Sequence, residues 1–296
     1  MRHLQLFGVS RVMYSKPIFF FRFLVLLMIA SVAIADEVAL EFNGMTLNAD
    51  LVIADGTHIT DEIVIILHGT LGHKDMEIIE TLQSVLEEIG RDSLAINLSL
   101  NIDDRHGFFD CEKPHSHRSD DAIDELNAWV AWLEKSGAKN ISLLGHSLGA
   151  NQAAKYVLSS QTSIAKLVLL APPASNARAD KKSLEKLLSM SASDWLSDIR
   201  FLHCESADVQ VASYLSYRGE DARNDTVAIL DDVKIPTLVI SGSDDQVSKD
   251  LDLRMVDVVN ESVSHLEIVG ADHFFRDLYA YDVVDAVDAF LGEDAQ

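Results

Sequence analysis

A serine, an aspartate and a histidine that together could open an acyl bond lie far apart along the chain, at Ser147, Asp245 and His273. Ser147 is the centre of Gly145-His146-Ser147-Leu148-Gly149, a G-x-S-x-G. The apolar run Ile141 to Leu144 leads into it, and the helix-forming stretch Ala150 to Leu158 leads out. Strand, turn and helix in that order suit a nucleophile held on a strained elbow, where residues two before and two after the serine have no room for a side chain. The start of the helix adds backbone N–H groups and a partial positive charge where an oxyanion would form. Ordinary strand-to-helix turns can also carry this motif, so the serine needs partners.

A serine hydroxyl is a weak nucleophile without a base in reach, and the base needs an acid to orient it. Asp245 follows the apolar run Thr237 to Ile240, and His273 follows the run Leu266 to Val269. Both therefore stand just past the C-terminal end of an expected strand, the edge at which open α/β sheets bind ligands. The order Ser, Asp, His fits the elbow motif. Asp244 is a rival for the acid, but the spacing after Gly242 favours Asp245. Asp272 is too near His273 in sequence to be its usual orienter and reads as a turn residue. A glycine turn, His68-Gly69-Thr70, follows the run Glu62 to Leu67. The amides of Thr70 and Leu148 are the candidate oxyanion donors, His68 reads as a structural member of its turn, and His146 as packed beside the elbow.

These residues need a scaffold. Val38 to Phe42 and Met45 to Ile53 flank Asn43-Gly44, a strong hairpin signal. Nearly continuous apolar runs then alternate with amphipathic stretches, such as Ile78, Ile79, Leu82, Val85, Leu86 and Ile89 at helical spacing. That alternation predicts a mostly parallel, doubly wound α/β sheet with helices on both faces. The rhythm breaks from Ala174 to about Val233, where Leu184, Leu187, Leu188, Trp195 and Leu196 look helical and a polar acidic run covers Gly219 to Asp225. We read residues 174–233 as a helical lid or cap inserted between two core parts, 36–173 and 234–296. A polar stretch, Asn101 to Asp120, holds Asp103, Asp104, His106, Asp110, His115 and His117. It reads as a rim loop rather than a metal centre, although His115-x-His117 has ligand spacing.

Residues 1–35 combine four basic residues and no acid with an apolar stretch, Phe23 to Ala30, and Ala33-Ile34-Ala35. This is the pattern of a signal peptide cleaved after Ala35, for a secreted or periplasmic protein. Arg22 leaves the apolar run short of a membrane span, so contact with a membrane is expected only through an uncleaved segment. Either Met1 or Met13 could initiate. The whole chain of 296 residues carries a formal charge of −23, with 24 basic and 47 acidic residues; without those four basic residues it carries −27. Such acidity argues against nucleic acid as a partner. Cys111 and Cys204 are the two cysteines, and an oxidising compartment would allow either one disulfide or two buried thiols. Asn97, Asn140, Asn224 and Asn260 head N-x-S/T sequons.

His68-Gly69, the Gly145 to Gly149 elbow, Gly242-x-x-Asp245 and Gly-Ala-Asp-His273 agree in kind, order and strand position. Over roughly residues 38 to 292 the chain resembles the α/β-hydrolase superfamily. The resemblance implies Ser147 as nucleophile, His273 as general acid/base, Asp245 as orienting acid, and Thr70 and Leu148 as oxyanion donors. It implies a serine esterase that uses no cofactor and no metal and takes a small-molecule ester or acyl substrate through an acyl-enzyme. A peptidase or amidase on the same fold, and a non-catalytic binding protein, are the competing readings.

Overall fold

The computed structural model describes residues 35–56, 58–159, 164–174 and 180–292. The expected signal segment, residues 1–35, lies outside the described residues apart from Ala35. The strands are β1 (Asp36–Phe42), β2 (Met45–Val52), β3 (Glu62–Leu67), β4 (Asp92–Asn97), β5 (Asn140–His146), β6 (Leu167–Leu170), β7 (Trp195–Phe201), β8 (Cys204–Gln210), β9 (Thr237–Gly242) and β10 (Val263–Ile268). The α-helices are α1 (Glu77–Glu88), α2 (Asp121–Ser136), α3 (Leu148–Ser159), α4 (Lys181–Leu188), α5 (Val211–Arg218), α6 (Thr226–Ile229), α7 (Leu251–Met255) and α8 (Tyr279–Gly292).

Among the described residues, eight strands form one sheet in the order β1-β2-β4-β3-β5-β6-β9-β10, antiparallel at β1–β2 and β2–β4 and parallel beyond. The opening hairpin turns at Asn43 and Gly44, both at positive φ (51° and 79°), as a primed two-residue turn demands. The apolar run of β3 is explained by burial on both faces. Ile63, Ile65 and Leu67 join Leu126, Trp129 and Leu133 of α2 and Ala150, Ala153 and Ala154 of α3. Val64 and Ile66 point the other way, into Ile79, Leu82 and Leu86 of α1 and Val283, Val284 and Val287 of α8. The period of two along the strand thus feeds two separate cores. The doubly wound, mostly parallel sheet expected from the sequence is the fold observed.

The segment between β6 and β9 differs from its expected all-helical form. Trp195 and Leu196 open β7, which pairs antiparallel with β8. Register shifts between Leu196, Ile199 and Phe201, and Asp198 at φ 53°, interrupt the alternation that would have marked a strand. The hairpin is tethered to the 101–120 stretch. His115 bridges Val209 in parallel, its N–H donates to the Asp208 carbonyl at 2.7 Å, and its carbonyl accepts from the Gln210 N–H at 2.9 Å. The two cysteines are joined as the Cys111–Cys204 disulfide, across 93 residues of sequence. The acidic run is capping chemistry: Asp221 accepts from the Arg223 N–H, and Asp225 from the Ala228 N–H at the start of α6.

Candidate active site

β5 delivers Ser147 to the C-terminal edge of the sheet. Ser147 adopts φ 55°, and its N–H donates to the Leu170 carbonyl at 2.8 Å, locking the elbow onto β6. The flanking glycines are forced by contact. A Cβ on Gly145 would lie 2.5 Å from the Ala150 Cα, and one on Gly149 would lie 2.4 Å from the His68 carbonyl oxygen. Both obstacles are backbone, so neither can yield.

His273 and Asp245 meet this serine. His273 Nε2 is 3.0 Å from Ser147 Oγ, and its Nδ1 is 2.8 Å from Asp245 Oδ2. The other carboxylate oxygen of Asp245 accepts from the Val247 and Ser248 amides at 2.6 and 2.9 Å. Burial opposes ionisation of Asp245, but the hydrogen bonds from His273 and those two amides outweigh it and hold the carboxyl below its ordinary value. Acceptance by Asp245 assigns the proton to Nδ1 of neutral His273, leaving the Nε2 lone pair for the serine hydroxyl. Asp244 is exposed and accepts from the Ser243 hydroxyl at 3.3 Å. Asp272 accepts from the Phe274 N–H and pairs with Arg276 at 2.7 Å, a turn residue as expected. The His146 ring, buried beside the elbow, holds the His273 carbonyl through Nε2 at 2.9 Å; burial lowers its pKa to about 4, so it is neutral.

Thr70 and Leu148 both border the cavity at Ser147. Leu148 opens α3, where helix geometry leaves its N–H without a helical partner. Gly69 lies so close that an added Cβ would meet Ser147 Cβ at 3.1 Å. The Gly69 carbonyl is held by His68 Nδ1 at 2.8 Å. In a trans peptide the N–H points opposite the C=O, so this bond turns the Thr70 N–H away from His68. The tautomer of His68 is set by its other nitrogen, which takes the Leu98 N–H at 3.1 Å and faces Arg105 at 3.2 Å. Burial, reinforced by the Arg105 charge, lowers its pKa to about 3. Arg105 also donates to the Leu98, Gly72 and Gly107 carbonyls and to Asn97 Oδ1. Sequence inspection overlooked Arg105, because nothing in a polar stretch marks the arginine that folds inward.

The 101–120 stretch also corrects the rim-loop expectation. His115 and His117 are fully buried, 3.1 Å apart through Nδ1 and Nε2, among Phe109, Phe201 and Tyr217. Burial lowers their pKa values to about 4 and about 3. Asp103 and Asp104 instead hold Thr46 and Asn48, while Asp110 holds the Glu112 amide. Among the described residues no three such side chains gather as a metal site. Of the sequon asparagines, Asn140 is exposed, whereas Asn97 bonds Arg105, Asn224 bonds Lys155 and Asn260 bonds two carbonyls. The cavity over Ser147 is further lined by His203, from the β7–β8 turn, which sequence inspection did not connect to the site.

No curated protein matches the chain in sequence. Among solved structures it is similar to Est1E from Butyrivibrio proteoclasticus, at 19% identity and a TM-score of 0.64, covering 86% of this chain and 97% of that one. The Pyrococcus furiosus esterase Pf2001 aligns at 19% identity and a TM-score of 0.57, covering 87% and 89%. A Paleococcus ferrophilus monoacylglycerol lipase aligns at 15% and 0.61, covering 83% and 99%. At these identities the likeness carries the fold. A sequence family model described as the alpha/beta hydrolase fold matches residues 62–218, just over half of the chain and the part that contains β3, the elbow and the β7–β8 hairpin. With that match the chain belongs to the α/β-hydrolase fold family.

Proposed function

We propose that this protein is a serine hydrolase of carboxylic esters, with Ser147 as nucleophile, His273 as general acid/base and Asp245 as its orienting acid. The observation that carries this reading is the hydrogen-bonded chain from Asp245 through His273 to Ser147 Oγ, set beneath an open cavity. Oγ attacks the ester carbonyl carbon while His273 Nε2 takes the hydroxyl proton. The oxyanion is held by the Thr70 and Leu148 amides. The intermediate collapses, the bond to the alcohol oxygen breaks, and that oxygen leaves with the proton from His273. Water then gives a proton to His273 and its oxygen to the acyl carbon; the Ser147 ester bond breaks, the proton returns to Oγ, and the acid is released.

The mostly apolar surface of the cavity suits an uncharged ester. The disulfide and the N-terminal residue pattern together support a secreted or periplasmic protein. Fluorophosphonate labelling tests the assignment. The wild-type protein should label and should hydrolyse p-nitrophenyl esters, and Ser147→Ala should do neither. His273→Ala should lose activity by roughly 10⁴-fold or more. A folded wild type that never labels would remove the serine mechanism; turnover of aminoacyl amides in preference to esters would move the protein to the amidases.

A further inference from the structure

The space over Ser147 is divided. A larger, mostly apolar lobe of about 500 Å³ runs past Met76, Phe108 and Phe274, with Asp75, Glu77 and Asp277 also in its wall. A smaller one of about 280 Å³ runs past Leu202, Arg218, Asn224 and Lys249. Ser147 and Thr70 belong to both, and His203 borders both. His273 lines the larger lobe, and Leu148 the smaller.

His203 is set there by the fold. It occupies the two-residue turn Leu202-His203 between β7 and β8, with Leu202 at φ 53°. The next residue, Cys204, is bonded to Cys111, and β8 is bridged to His115 further along. Its side chain is nevertheless exposed at the cleft, where it borders both lobes. Val247 also borders both lobes, but it is 68% exposed and belongs to the mouth.

The two lobes acquire direction from the chemistry, and this step rests on the serine-hydrolase reading. His273 must hand its proton to the leaving oxygen, so the alcohol half of an ester lies on the His273 side, in the larger apolar lobe. With the carbonyl oxygen at Thr70 and Leu148, the acyl half leads into the smaller lobe. We propose that His203 is a specificity-determining residue: it walls the two lobes apart, so that the protein takes esters joining a compact acyl group to a bulky apolar alcohol.

The test compares kcat/KM across two ester series on the purified, oxidised protein. In the wild type, p-nitrophenyl acetate should exceed p-nitrophenyl decanoate, and 2-naphthyl acetate should exceed phenyl acetate, whose leaving group is of similar reactivity but smaller. His203→Ala should raise the decanoate-to-acetate ratio by about tenfold or more, the scale set by a few methylenes gaining apolar contact. His203→Trp, with a larger ring at the same exposed turn, should lower it by at least about threefold. A wild type that prefers decanoate, or a ratio that moves with neither substitution, overturns the proposal. If the wild type still labels with fluorophosphonate in that case, only the His203 assignment falls. If it does not label, the hydrolase reading falls and takes this proposal with it.

Discussion

The loop that faces Ser147 is held in place by groups that never reach the cavity. Glu125 is one of them: its oxygens take the Ser99 N–H at 2.8 Å and the Ser99 hydroxyl at 2.5 Å. Ser99 follows Leu98, whose N–H sets the tautomer of His68, which in turn orients the Gly69–Thr70 peptide. Glu125 is almost fully buried, and that burial raises its pKa to about 7. The sign follows by linkage. The unfolded chain loses this proton near pH 4.5 while the folded protein keeps it until about pH 7, so the contribution of this group to stability falls as pH rises through that window and levels off above it. Glu125→Gln keeps a neutral acceptor for Ser99 and should flatten the slope. Urea unfolding from pH 4.5 to 7.5 should show a difference between the two proteins on the order of 3 kcal/mol across the range. Parallel pH profiles would mean that Glu125 does not hold its proton in the fold.

At the scale of elements, the site is a meeting of turns at one sheet edge. The β5–α3 elbow supplies Ser147, the loop after β9 supplies Asp245, the loop after β10 supplies His273, and the β3 loop supplies Thr70. These four come from neighbouring or near-neighbouring parallel strands, whose ladders fix them against one another. The β7–β8 hairpin is different, being held against the 101–120 stretch by a disulfide and a single bridge outside the main sheet. Closing a loop of 93 residues removes unfolded-state entropy worth up to about 4.6 kcal/mol. Cys111→Ser with Cys204→Ser should therefore lower the unfolding free energy by about 2–4 kcal/mol. Denaturant melts of the double variant in oxidising buffer, beside reduced wild type, read this directly. Identical midpoints for the oxidised wild type and the double variant would show that the bridge and packing hold the hairpin without help from the disulfide.

At the scale of the whole molecule, a charge of −23 sets the terms. Some acids are paired, such as Asp225 with Arg254 at 2.7 Å and Asp50 with the buried Lys74 at 2.7 Å. With 47 acidic and 24 basic residues, most of the excess remains as mutual repulsion, which favours the expanded chain. Salt shortens the reach of that repulsion, from about 30 Å at 0.01 M to about 3 Å at 1 M. The thermal midpoint should accordingly rise as sodium chloride goes from about 0.02 to 0.5 M. A midpoint that falls would show that the surface ion pairs matter more than the net charge. The same field repels strongly anionic substrates in dilute buffer, which agrees with the uncharged ester we propose.

Much of this was legible in the residues themselves, because it is local. Strands buried on both faces must be continuously apolar, and the glycines of the elbow and the Asn43-Gly44 turn are demanded by backbone geometry within a few residues. That is why Ser147, Asp245 and His273 could each be placed at a strand end before their distances were known. The hairpin of β7 and β8 escaped notice because its bulges erase the period of two. The burial of His115, His117 and Arg105 escaped because a polar residue carries no mark of which way it faces. Whether Cys111 meets Cys204, and whether His203 shares a cavity with Ser147, depends on positions 93 and roughly 56 residues apart. Only the tertiary fold, which lays the β7–β8 hairpin against the 101–120 stretch and over the sheet edge that carries Ser147, decided both.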